Sequence, residues 1–111
     1  MLRIVSVNFP YIDQPRRKKI RPALCLTTPQ GKYNIIVVAY ITTKLDENLS
    51  TDILLDSKET AFARTGLKHT SFIRIHKLYS IGTDEITGEV GVLTTKLERE
   101  VKRKLRNLFD I

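Results

Sequence analysis

At 111 residues the chain has room for one hydrophobic core and too little for two, so a single domain spanning residues 1–111 is expected. Its 41% hydrophobic and 28% charged residues exclude a disordered chain, and a net charge of +7 with a pI near 9.8 favours a polyanionic partner: nucleic acid, anionic lipid or an acidic protein. The single cysteine, Cys25, excludes an internal disulfide and fits a reducing cytoplasm, while the absence of any run near the roughly 20 apolar residues of a membrane span argues against a membrane protein.

In chain order, RIVSVNF (residues 3–9) alternates, with Val5, Val7 and Phe9 on one side and Ile4, Ser6 and Asn8 on the other, and Pro10 ends the strand. The segment PRRKKIRPALCL then crowds Arg16, Arg17, Lys18, Lys19 and Arg21 in front of a second strand, ALCLT. Such mutual repulsion is tolerated where solvent or an anionic partner relieves it. YNIIVVAYITT is apolar on both faces and predicts a central strand covered on both sides. A polar turn at residues 46–50 leads to TDILL, and SFIRIHKLYSI follows TGLKHT; the short connections imply antiparallel pairing. At the C-terminus the period changes. Thr95 and Glu98 have capping-box spacing, and Leu97, Val101, Leu105, Leu108 and Phe109 form one apolar helical stripe. Glu98 with Lys102 and Glu100 with Lys104 are favourably ordered pairs, each worth roughly 0.2 to 0.5 kcal/mol.

The chain has no serine nucleophile elbow, phosphate-binding loop, dinucleotide glycine pattern or H-E-x-x-H helix, so no cofactor is expected. His69 and His76 are the only histidines, and no carboxylates cluster with them in sequence, so no metal site is expected either. In SFIRIH, alternation predicts that Ser71, Ile73 and Ile75 face the core while Phe72, Arg74 and His76 share the open side. Two residues along a strand span roughly 6.5 to 7 Å, about the reach of a phosphodiester. A guanidinium grips phosphate oxygens and an imidazole moves protons near neutral pH, the combination needed for RNA cleavage by its own 2′-hydroxyl without a metal. The same pattern also fits an Arg and a His on an exposed sheet face.

Taken in order, RIVSVNFP, KIRPALCL, IIVVAYITT, GLKHTSFIRIHKL, GEVGVLT and the final helix resemble the PemK/MazF family of bacterial toxin ribonucleases, over about residues 3 to 109. The resemblance implies a mainly β (α+β) fold: a small SH3-like antiparallel barrel, CcdB/MazF-like, with short helices and a C-terminal helix. It also implies a homodimer that cleaves single-stranded RNA sequence-selectively without metal and is held in check by an acidic antitoxin. By position, the family's phosphate-binding and catalytic arginine falls on Arg21, its strand-end threonine on Thr42, and the PemK-type arginine on Arg74. His76 stands where PemK-type members carry an aspartate base, and DQPRRKKI replaces a Gly-Ser-Glu-Gln loop, with Leu2 and Arg3 in place of Gly-Asp. Arg16, Arg17, Lys18 and Lys19, with Lys77, are the expected RNA-binding cations. Two other classes stay open: a CcdB-like toxin that binds a protein target such as gyrase, and a non-catalytic RNA-binding barrel.

Overall fold

The alternation in residues 3–9 becomes β1 (Arg3–Pro10), and the remaining apolar runs become β2 (Lys18–Cys25), β3 (Ile35–Thr42), β4 (Asp52–Leu55), β5 (Ser71–Gly82) and β6 (Ile86–Val92), followed by helix α1 (Thr95–Phe109). This is a computed structural model that describes residues 2–10 and 18–111. All strand pairs are antiparallel, and the sheet order is β4-β5-β3-β2-β1-β6.

Each face of the sheet carries its own apolar cluster. Ile4, Leu24, Ala39, Ile41, Ile73 and Ile75 gather on one side with Val101 of α1. Val5, Val7, Ala23, Cys25, Ile36 and Val38 gather on the other. Sequence neighbours such as Ile4 and Val5 thus serve opposite faces, which is why the interior strands read as nearly continuous apolar runs. Fully burying each Ile, Leu or Val stabilises the fold by about 1.5 to 3 kcal/mol. The expected double covering of β3 is present except at its start, where Ile35 is exposed.

A 3-10 turn, Thr60–Thr65, follows β4 at one end of the strand order and packs on β6 at the other. Gly66 makes this approach possible: its φ is +70°, and a Cβ there would run into the Val90 carbonyl. The turn that follows one edge strand is thereby packed on the other edge strand, as the barrel implied by the family resemblance leads one to expect.

The helix differs from its expected cap by one residue. The N-cap is Thr94, whose side-chain oxygen accepts from the Leu97 backbone N–H, so Glu98 lies one position beyond the capping box. Its carboxylate instead accepts from the Leu2 backbone N–H at 2.9 Å and from Lys102 at 3.2 Å. The Glu98–Lys102 pair forms as expected, but Lys104 passes over Glu100 and donates to the Ser50 and Asp52 carbonyls. Phe109, expected in the apolar stripe, is exposed.

The Leu2 backbone N–H, and after it Lys102, hold the Glu98 carboxyl below the usual glutamate value, with desolvation opposing them. A carboxyl lowered in the folded state stabilises the fold above the ordinary glutamate range, and that contribution is lost as pH falls through the lowered value. Thermal melts between pH 7 and 3 should therefore show an acid-side decline that Glu98→Gln partly removes. Superimposable pH profiles for the two proteins would mean that this tether carries no stability.

Candidate functional site

β2 pairs with β1 from Lys18 opposite Pro10 to Leu24 opposite Ile4, but with β3 only from Ala23 to Cys25. Pro22, which has no N–H to give, stands where pairing with β3 stops. The preceding residues therefore have a sheet partner on one side only, and Arg21 sits half-buried beside this gap. Lys18 and Lys19 belong to the strand and not to the loop in which the sequence placed them; Lys19 is exposed opposite Phe9. Arg16 and Arg17 lie outside the described residues, as does the Lys18 side chain.

Around the gap, cations and aromatic rings alternate. The Arg21 guanidinium lies 5.8 Å from the Tyr40 ring centroid and the Lys77 ammonium 5.2 Å from it, both within cation–π range. Tyr40 meets Phe9 edge-on at 5.8 Å, and Phe9 meets Tyr79 at 5.1 Å. Four strands contribute to this patch.

A cavity of about 270 Å³ next to it is lined by Tyr40, Thr42, Lys44, Glu47, Arg74 and Lys77. Thr42 is buried, and its hydroxyl oxygen accepts from the Lys44 backbone N–H, fixing the turn that leaves β3. Arg74 departs most from expectation. Only 6% of it is exposed, and its fork donates to the Asp52 carboxylate at 2.9 Å and to the Glu47 carbonyl at 3.0 Å. The Asp52 side chain is fully buried; the same oxygen that pairs with Arg74 accepts from the Leu49 N–H, and its other oxygen has no hydrogen-bond partner among the described residues.

The expected sharing of one open face by Arg74 and His76 is corrected by a bulge. Ala39 and Tyr40, consecutive on β3, face Leu78 and Arg74 on β5, so residues 75 to 77 have no opposite number on β3. Alternation fails across such a bulge. Lys77, not His76, consequently lines the cavity with Arg74. His76 is exposed, and its Nδ1 lies 2.6 Å from the Thr51 hydroxyl. The structure thus brings Thr42, Arg74 and Lys77 together, keeps Arg21 nearby across Tyr40, and leaves His76 apart.

A second cavity, about 520 Å³, is lined by Arg21 together with Lys68 and His69. The sequence reading missed Tyr40 and Asp52 as site elements. Asp52, an acidic residue opening an otherwise apolar strand, was the available signal for a buried partner. Among the described residues, no three His, Cys, Asp or Glu side chains form a metal-ligating group, and no helix is long and apolar enough to cross a membrane.

Fold and surface together define a small, basic, antiparallel-sheet protein with Arg21 and Lys77 set beside a break in strand pairing. The chain belongs to the family of PemK-like, MazF-like toxins of type II toxin–antitoxin systems, whose profile matches residues 2–109. The Mycobacterium tuberculosis toxin MazF-mt6 is similar in fold, with a TM-score of 0.73 and 24% identity over 98% of this chain and 97% of that one. An endoribonuclease in complex with its cognate antitoxin from Mycobacterial species is similar at a TM-score of 0.70 and 14% identity, over 98% and 92% of the two chains. No curated protein matches the sequence.

Proposed function

We propose that this protein is a sequence-selective endoribonuclease toxin that cuts single-stranded RNA, mRNA in particular, without a metal ion, leaving a 2′,3′-cyclic phosphate and a 5′-hydroxyl. A cognate acidic antitoxin neutralises it in this reading, and the working form is a homodimer in the cytoplasm. Membership of the toxin family over residues 2–109 carries the proposal. The solved relative that is an endoribonuclease bound to its antitoxin supports it. So does the placement of Arg21, the residue matching the family's arginine, at an open gap in the sheet with Lys77 nearby.

Arg21 has the fork geometry to hold a phosphate through transfer, when five oxygens crowd the phosphorus. Lys19 and Lys77 supply sequence-independent attraction to the backbone. Thr42 and Arg74 support the site by holding the turn and loop after β3.

Incubating the purified protein with a long RNA in EDTA, then mapping the fragment ends, tests the reading. Cuts within a short preferred sequence, with cyclic phosphate and 5′-hydroxyl ends, are expected, and light scattering should give twice the 12.8 kDa chain mass. A second reading, RNA binding without cleavage, is favoured by Tyr40 and Tyr79, because accessible rings beside cations are stacking platforms for unpaired bases. Retention of intact RNA with no new ends would select it over the first.

A further inference from the structure

The cavity of about 520 Å³ beside Arg21 falls within the roughly 300 to 1,000 Å³ typical of small-ligand sites. Part of its wall is apolar, built by Ile20, Pro22, Leu67 and Val90, and Arg21, Lys68 and His69 line the same space. An apolar wall beside two cations and an imidazole matches the parts of a nucleotide: a base to shelter, a phosphate to neutralise and a ribose hydroxyl to activate.

The loop that carries His69 is fixed at several points. Leu67 donates its N–H to the Thr65 hydroxyl at 3.2 Å, the Ser71 hydroxyl donates to the His69 carbonyl at 2.8 Å, and the Thr70 hydroxyl accepts from the Ser57 N–H at 3.0 Å. Gly66 anchors the loop's start against the Val90 carbonyl. The His69 backbone is thus held in place while its ring is exposed, and among the described residues no hydrogen bond engages that ring. His76, by contrast, has its Nδ1 beside the Thr51 hydroxyl and lines neither this cavity nor the one at Arg74.

We propose that this cavity receives the nucleotide on the 5′ side of the scissile phosphate and that His69 is the base for its 2′-hydroxyl. The proposal rests on the endoribonuclease reading and names the proton acceptor within it. The His69 imidazole takes the 2′-hydroxyl proton, the 2′-oxygen bonds to phosphorus, and the bond from phosphorus to the 5′-oxygen breaks. That oxygen leaves with a proton from water, and the resulting hydroxide takes the proton held by the imidazolium, so no oxidant, metal or net water is consumed. Among the described residues, the charged groups that line this cavity with His69 are Arg21 from β2 and Lys68 from its own loop; β1, β6 and the turn after β3 contribute the uncharged Ser6, Val90 and Thr43.

The test compares variants on an RNA carrying the preferred cut site. His69→Ala should lower kcat on the order of 10²- to 10⁴-fold with little change in KM. Added imidazole should restore part of the lost rate, which a purely structural histidine would not allow. Ile20→Ala, on an exposed part of the wall, should raise KM several-fold while leaving kcat within about twofold. If His69→Ala melts early, His69→Gln takes its place in the same assays. Wild-type rates for the His69 variants, or loss at His76 with His69 indifferent, would overturn the assignment while the nuclease reading stands. A wild-type protein that cuts no RNA would remove both.

Discussion

Replacing Arg74 by alanine should destabilise the protein by about 3 to 5 kcal/mol, because it leaves the fully buried Asp52 carboxylate without its cation. Asp52 already has one oxygen without a hydrogen-bond partner among the described residues, so the stranded charge has little other support. The Glu47 carbonyl would lose its donor as well, and the loop between β3 and β4 would be freed at that point. Urea titrations of Arg74→Ala, Asp52→Ala and the double variant check this: the double variant should cost clearly less than the two singles added together. A loss under 1 kcal/mol, with cleavage nevertheless abolished and RNA affinity reduced, would return Arg74 to the substrate-facing role that the sequence suggested.

A second large effect is expected at Arg21, this time on rate rather than stability. Arg21→Ala should lower the cleavage rate on the order of 10²-fold or more while the melting temperature moves little, since the side chain is half-exposed beside a gap in pairing. Arg21→Lys keeps the charge but loses the planar fork and should recover only a small part of the rate. Lys77→Ala should act differently, weakening RNA binding and flattening its dependence on salt while sparing the maximal rate. If Arg21→Ala and Lys77→Ala produce the same affinity loss and nothing more, Arg21 is one counterion among several.

The strands were legible because alternation is local: β1 and β3 occupy nearly the segments that their apolar patterns mark, and the helix differs from its predicted start only in which threonine caps it. The fate of Arg74 and His76 was not legible, for two reasons. Whether an arginine on a strand faces water or a buried acid depends on what the neighbouring strand offers, and Asp52 is 22 residues away in sequence. The bulge at residues 75 to 77 depends on how β5 registers against β3, which no pattern within β5 encodes. Similarly, Lys18 and Lys19 read as loop because of their charge, yet pairing with Pro10 and Phe9 draws them into β2. Arg21 was singled out because its segment, KIRPALCL, resembles the family's, whereas Lys68 and His69 reach its cavity through the loop that Gly66 lets lie against β6.

The tether from the Leu2 N–H to Glu98 joins positions 96 residues apart, and β1 has its outer partner in β6. During synthesis, therefore, β1 waits for a partner encoded some eighty residues later. Until residues 86–98 have left the ribosome, β1 can pair only with β2, and its other edge stays unsatisfied. Contacts of such long sequence separation delay folding. The nascent chain thus holds β1 with one open edge until β6 emerges, and the cavity beside Arg21, part of whose wall is Val90 of β6, takes shape only then.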